Sequence, residues 1–185
     1  MRVGREFFNF YNHDFVRVAV AIPSLRVADP AYNAEQTIAL LRQAAEQQAA
    51  LVLFPELGIS AYSCDDLFHQ RALLEACLEA LGTILRASAP LPLVGVVGMP
   101  IQVDHLLYNC AVVFSGGRVL GVVPKTFLPN YREFYEVRQF TSGDSATHAT
   151  VNLPGQPDVP FGSSLLFRLA DEPLFTFHVE ICEDV

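Results

Sequence analysis

From Phe175 to Cys182 apolar and polar residues alternate strictly: Phe175, Phe177, Val179 and Ile181 share one side, and Thr176, His178, Glu180 and Cys182 the other. Period two predicts a strand whose apolar row meets packed core and whose polar row ends, at Cys182, beside Glu183 and Asp184. Upstream the pattern differs. Residues 16–22 and 51–54 are short apolar runs stopped by Pro23 and Pro55, as expected of buried strands. Between them, Asp29 before Pro30, or Asn33 with Gln36 three residues on, can cap a helix with the apolar face Ala34, Ile38, Leu41 and Ala45. Ser63, with Asp66 three residues later, can cap a longer helix striped by Leu67, Leu74, Leu78, Leu81 and Leu85.

Residues 93–97 predict a strand ending at Gly98, and residues 106–114 and 118–123 a pair joined across Ser115, Gly116 and Gly117, a hairpin signal. Pro124 closes the last of these and Lys125 follows. Residues 130–140 read as a loop with a helical turn, and residues 141–162 are the least regular stretch. Residues 163–169 and 174–181 predict the final strands, separated at hairpin spacing by residues 170–173. Two βα units followed by paired strands imply an α/β fold, a mixed sheet with helices packed on it.

Composition narrows the function. The chain has 185 residues, 51% hydrophobic and 17% charged, which suits one domain burying roughly 70% of its unfolded surface. A net charge of -8 and a pI near 5.0 argue against nucleic acid or an anionic membrane as partner, because either is repelled at long range. Cys64, Cys77, Cys110 and Cys182 form no CxxC pair and no cluster with histidines, which disfavours zinc and thioredoxin-type chemistry. No metal is expected. The N-terminus lacks an apolar core of signal-peptide length, and no run approaches the 18 apolar residues of a membrane span. A cytoplasmic protein with reduced thiols is the expectation.

Three reactive groups occupy equivalent places. Glu56 follows one predicted strand, Lys125 follows another, and Cys182 ends the last. Ligands of open α/β sheets bind outside the carboxyl ends of strands, so the three can converge. A thiol, a carboxylate and an ammonium suffice for amide chemistry: the carboxylate moves the proton, and the ammonium favours the thiolate and the oxyanion. Each also has a bland reading: a buried small hydrophobe for the cysteine, a solvated loop carboxylate for the glutamate, a surface cation for the lysine. His178 is no base for Cys182, since four residues along a strand separate them by about 13 Å.

The segments LVLFPELGISAY, VVPKTFLPNYREFYE and VEICEDV resemble the three signature blocks of the nitrilase, or carbon-nitrogen hydrolase, superfamily. Within it, PELGISAYSCDDLF, KTFLPNYREFYEVRQF and ICEDV are similar to the glutamine-hydrolysing amidase domains of glutamine-dependent NAD synthetases. The resemblance implies an α-β-β-α sandwich with mixed sheets, of which residues 1–185 are a single, C-terminally incomplete domain. It implies Glu56 as general base, Lys125 as oxyanion stabiliser and Cys182 as nucleophile. Glu133 resembles the second glutamate near the site, a role that Glu136 shares in part. Tyr62 and Tyr131 match positions that contact the substrate glutamine, with core packing as their alternative, and Glu183 follows the nucleophile as in this branch. It further implies a synthetase domain beyond this chain, where ATP and magnesium bind, no cofactor in this domain, and a homo-oligomer with Phe7, Phe8 and Phe10 as packing contacts. The piece alone is expected to be inactive. A stand-alone amidase on another amide, and a non-catalytic assembly domain, are the rival readings.

Overall fold

The computed structural model describes residues 9–169 and 175–185. Its centre is a five-stranded sheet of β1 (Val18–Val20), β2 (Leu51–Leu53), β3 (Val94–Val103), β4 (Leu106–Ser115) and β5 (Arg118–Pro124), in that order. β1, β2 and β3 run parallel, and β3, β4 and β5 antiparallel, so the sheet is mixed. The helices α1 (Pro30–Glu46) and α2 (Arg71–Ser88) supply the parallel crossovers and lie on one face. There Leu41, Cys77, Leu81 and Ile84 pack with Val52, Val97, Val112 and Phe114. The opposite face, Val94, Val96, Ala111, Val113 and Val123, is covered by Phe167, Val179 and Ile181. Helices, main sheet and the ribbon of β8 (Phe167–Arg168) and β9 (Thr176–Phe177) thus stack as α, β and β, in the order expected of the sandwich. Among the described residues no helix is long and apolar enough to cross a membrane.

Several local expectations are corrected. The cap of α1 is Asp29, which accepts from the Tyr32 amide at 3.2 Å, with Pro30 inside the first turn. Asn33 is instead a buried helical residue whose amide bonds the carbonyls of Arg26 (2.8 Å) and Ile59 (3.0 Å), joining two loops. Ser63 and Asp66 do not start α2. A short 3-10 turn, Asp65–His69, ends at an extended Gln70, and the helix begins after it. Its buried face is Leu73, Cys77, Ala80, Leu81 and Ile84, so Leu74, Leu78 and Leu85 flank the contact and Leu67 is largely outside it. Small side chains at Cys77 and Ala80 allow the close approach that a leucine-only stripe conceals.

The first strand pairs over three residues, not seven, because only those meet β2. β3 does not end at Gly98. A Cβ there would lie 2.3 Å from the Leu57 nitrogen and 2.8 Å from the Glu56 carbonyl carbon, so the glycine marks where the loop carrying Glu56 lies on the strand. Pro100 is tolerated because the β2–β3 ladder stops at Val96. Gly116 and Gly117, both with positive φ (56° and 79°), make the two-residue β4–β5 turn of a tight hairpin. Residues 130–140 form a loop with a 3-10 turn, Glu136–Arg138.

Residues 141–162 are more ordered than expected. They hold a hairpin, β6 (Thr150–Leu153) and β7 (Gln156–Pro160), whose Val151, Leu153 and Val159 are buried. Its prolines mask the alternation in sequence yet are compatible with a short marginal ribbon. The predicted connection 170–173 lies outside the described residues, as do Phe7 and Phe8. The final strands pair over only two residues each. Beyond Phe177 the alternation persists in burial, Val179 and Ile181 being 9% and 6% exposed, but not as a ladder. Cys182 is therefore not the end of a regular strand: it opens a 3-10 turn, Cys182–Asp184, with φ at 53°.

Candidate active site

Glu56 leaves β2 on a loop pressed against Gly98, and the next residue, Leu57, is fully buried with a positive φ of 51°. One oxygen, Oε1, accepts from Lys125 Nζ at 2.7 Å and from Asn109 Nδ2 at 2.6 Å. Asn109 sits mid-way along β4, buried in the apolar run LLYNCAVVF. A polar residue sealed inside such a run is the signal that sequence reading passed over. Its backbone carbonyl also accepts the Lys125 amide at 2.8 Å, so β4 places the carboxylate and the cation together.

The Lys125 side chain is 0% exposed and is met by a second carboxylate, Glu136 Oε1, at 2.9 Å. Burial alone pulls such an ammonium down, but hydrogen bonds and charge from Glu56 and Glu136 together hold it above its ordinary range. It is a fixed cation. Glu136 Oε1 also accepts from the Tyr62 hydroxyl at 2.8 Å. Burial, and then the bond to Glu136, push the Tyr62 hydroxyl far up, so it stays a donor. Of the two carboxylates read from the loop, Glu136 makes the lysine contact, whereas Glu133 is exposed and lines a neighbouring cavity. The primary assignment to Glu133 is therefore corrected in favour of Glu136.

Cys182 is the exposed member of four free cysteines. Burial raises its thiol, the Lys125 ammonium lowers it, and the carboxylates of Glu56 and Glu136 raise it again, leaving it above the ordinary range. A thiol so placed carries its proton at neutral pH and needs a base to become a nucleophile. The remaining cysteines differ in kind: burial pushes Cys77 up to about 12 and Cys64 and Cys110 upward as well.

Tyr131 and Glu183 meet beside the turn, the tyrosine hydroxyl donating to the Glu183 carboxylate, which raises that hydroxyl. Phe134 stands edge-on to Tyr62 (6.4 Å between centroids) and to Tyr131 (5.9 Å), linking the two tyrosines. Two cavities flank the ion pair. One of about 340 Å³ is lined by Glu56, Asn109 and Cys182 with Val20, Leu53 and Ile181. The other, about 300 Å³, is lined by Tyr62, Glu133, Glu136 and Phe134, among others. Among the described residues no group of three histidines, cysteines or carboxylates could hold a metal ion. A shielded cation between carboxylates, within electrostatic reach of an exposed thiol, brings together groups of the kind that acyl transfer uses.

The carbon-nitrogen hydrolase family model matches residues 17–185. A glutamine-dependent NAD(+) synthetase of Mycobacterium tuberculosis (strain ATCC 25618 / H37Rv) is 47% identical over 179 residues, covering 97% of this chain and 26% of that protein. The crystal structure of a glutamine-dependent NAD(+) synthetase from Cytophaga hutchinsonii superposes with a TM-score of 0.76 at 27% identity, over 84% of this chain and 26% of the other. An amidase from Nesterenkonia sp. shares the fold at a TM-score of 0.58 and 24% identity, over 69% of this chain and 48% of its own. The chain thus spans about a quarter of the length of the synthetases it matches. With mixed-sheet fold and family match covering the same residues, the chain belongs to the carbon-nitrogen hydrolase family.

Proposed function

We propose that this chain is the glutamine-hydrolysing domain of a longer NAD synthetase. The observation that carries the reading is Lys125, sealed between Glu56 and Glu136, with its charge acting on the Cys182 thiol. Glu56, whose Oε2 carries neither the lysine nor the asparagine bond, takes the proton from Cys182 Sγ. The sulfur attacks the side-chain amide carbon of glutamine, and Lys125 with a backbone N–H after Cys182 holds the oxyanion. Protonated Glu56 returns its proton to the departing nitrogen, ammonia leaves, and a thioester remains. Water, deprotonated by Glu56, then releases glutamate and the free thiol.

Tyr62, Tyr131 and Glu183 hold the amino acid, and Glu133 lies at the margin of that pocket. Ammonia passes to a synthetase domain on the same polypeptide, where ATP and magnesium act and nicotinate adenine dinucleotide becomes NAD. Similarity to synthetases almost four times as long supports this partner, and an oligomer of such chains in the cytoplasm belongs to the same reading. Replacing Cys182 by Ala in the full-length polypeptide should abolish glutamine-dependent NAD formation while leaving ammonia-dependent formation intact. An equal fall in both would refute the assignment.

A further inference from the structure

Among the described residues, the turn that presents Cys182 makes few backbone-to-backbone bonds. The ladder of β9 ends at Phe177, and between there and Cys182 the chain is anchored by burial of Val179 and Ile181. Burial is non-directional: it sets depth, not the orientation of the next residue. Cys182 then adopts a φ of 53°, a conformation that a residue with a Cβ keeps only where its surroundings hold it there. Inside the turn the bonds are long, 3.2 Å from the Asp184 amide to the Ile181 carbonyl and 3.5 Å from the Val185 amide to the Cys182 carbonyl.

The two shortest bonds run from one side chain to another loop: Asp184 Oδ1 accepts the backbone amides of Thr126 (3.0 Å) and Phe127 (2.7 Å), while Oδ2 accepts, at greater length, those of Thr126 (3.3 Å) and Ile181 (3.4 Å). Thr126 follows Lys125 directly, and the Lys125 backbone is itself fixed by its amide on the Asn109 carbonyl (2.8 Å) and its carbonyl on the Gly143 amide (2.7 Å). The carboxylate therefore fastens the cysteine turn to backbone that is itself bonded on both sides. We propose that Asp184 is a positioning residue, setting Cys182 against Lys125 by binding the amides after the lysine; this rests on the reading of Cys182 as nucleophile.

Asparagine retains an Oδ1 for Thr126 and Phe127 and gives up the longer bonds that Oδ2 accepts from Thr126 and Ile181, whereas glutamate keeps the charge but adds a methylene that pushes the turn away. In the full-length polypeptide, glutamate release by Asp184→Ala should fall in kcat by about tenfold to a hundredfold, the scale of an ångström-sized misplacement, with KM for glutamine changed by no more than about threefold. Asp184→Asn, which keeps the two shortest bonds, should fall by less than about tenfold, and Asp184→Glu should fall with the alanine variant. Hydrogen exchange at the Thr126 and Phe127 amides should quicken at least about tenfold in Asp184→Ala.

A parent-like kcat in Asp184→Ala, a loss confined to KM, glutamate outperforming asparagine, or unchanged exchange would each overturn the proposal. If the alanine variant does not fold, the asparagine and glutamate pair still decides. Absence of any Cys182-dependent glutamate release from the parent would instead refute the reaction, while exchange would still report whether Asp184 holds the turn.

Discussion

Replacing Lys125 by Met tests whether the buried cation is what makes the carboxylates tolerable. The lysine side chain is 0% exposed, Glu136 is 5% exposed and Glu56 22%. Methionine fills much of the same space along the aliphatic stem, so the cavity left behind is small. What is lost is the countercharge, and Glu136 is left as a sealed carboxylate with only the Tyr62 hydroxyl on it. Breaking a buried pair from one side costs about 3–5 kcal/mol. Set against the roughly 5–15 kcal/mol that holds a typical domain folded, this is a large share. At a urea slope of about 2 kcal/mol per molar, the midpoint falls by about 1.5–2.5 M. Urea unfolding followed by far-UV circular dichroism would measure it. An uncompensated buried carboxylate sheds its charge by taking a proton, so the deficit should shrink as pH drops from about 8 to about 5. The double variant Lys125→Met/Glu136→Gln, which removes the orphaned charge, should recover at least about half of the loss. A single-variant cost below about 1 kcal/mol, or a double variant no better than the single one, would refute the account of the ion pair.

Two further outcomes follow from the geometry. Among the four cysteines, Cys182 should alkylate first with iodoacetamide, with a pH midpoint above the ordinary thiol value of about 8.5. Because Glu56 is one of the charges that raise the thiol, Glu56→Gln should move that midpoint down, and an upward move would contradict the field described for Cys182. Gly98→Ala places a methyl group 2.3 Å from the Leu57 backbone, so the Glu56 loop must lift. A loss of about 1–3 kcal/mol in urea unfolding is expected, together with a fall in glutamate release, and unaltered values would show that the loop has slack.

The positions of Glu56 and Lys125 were legible in sequence because prolines close the strands before them, and strand ends on one edge of a sheet converge. The choice between Glu133 and Glu136 was not. They lie three residues apart in an aromatic, charged stretch without periodicity, and bonds to residues outside that stretch decide which faces the lysine. The Glu136 amide reaches the Pro129 carbonyl at 3.1 Å, and the Arg138 guanidinium grips Asp66 through two bonds of 3.0 Å. The alternation before Cys182 read burial correctly and overstated the ladder, since side-chain period reports which faces are covered and says nothing about whether a neighbouring strand pairs. Hairpin β6–β7 was hidden for the converse reason: its apolar positions alternate, but among prolines and turn residues that read as loop. Asp184 has a local partner in the Ile181 amide, but the two amides it binds most closely, on Thr126 and Phe127, lie 58 and 57 residues away, so its tie to the lysine loop is not readable from sequence.

The order in which the site's members occur along the chain has a consequence for synthesis. The side chains of Glu56, Tyr62, Asn109, Lys125 and Glu136 bond to one another, and all five are present once residue 136 has been made. The thiol arrives last, on a short segment that docks onto amides already in place at Thr126 and Phe127. The bonds that tie the cysteine turn to Thr126 and Phe127 therefore form only after every one of those charged groups has been made.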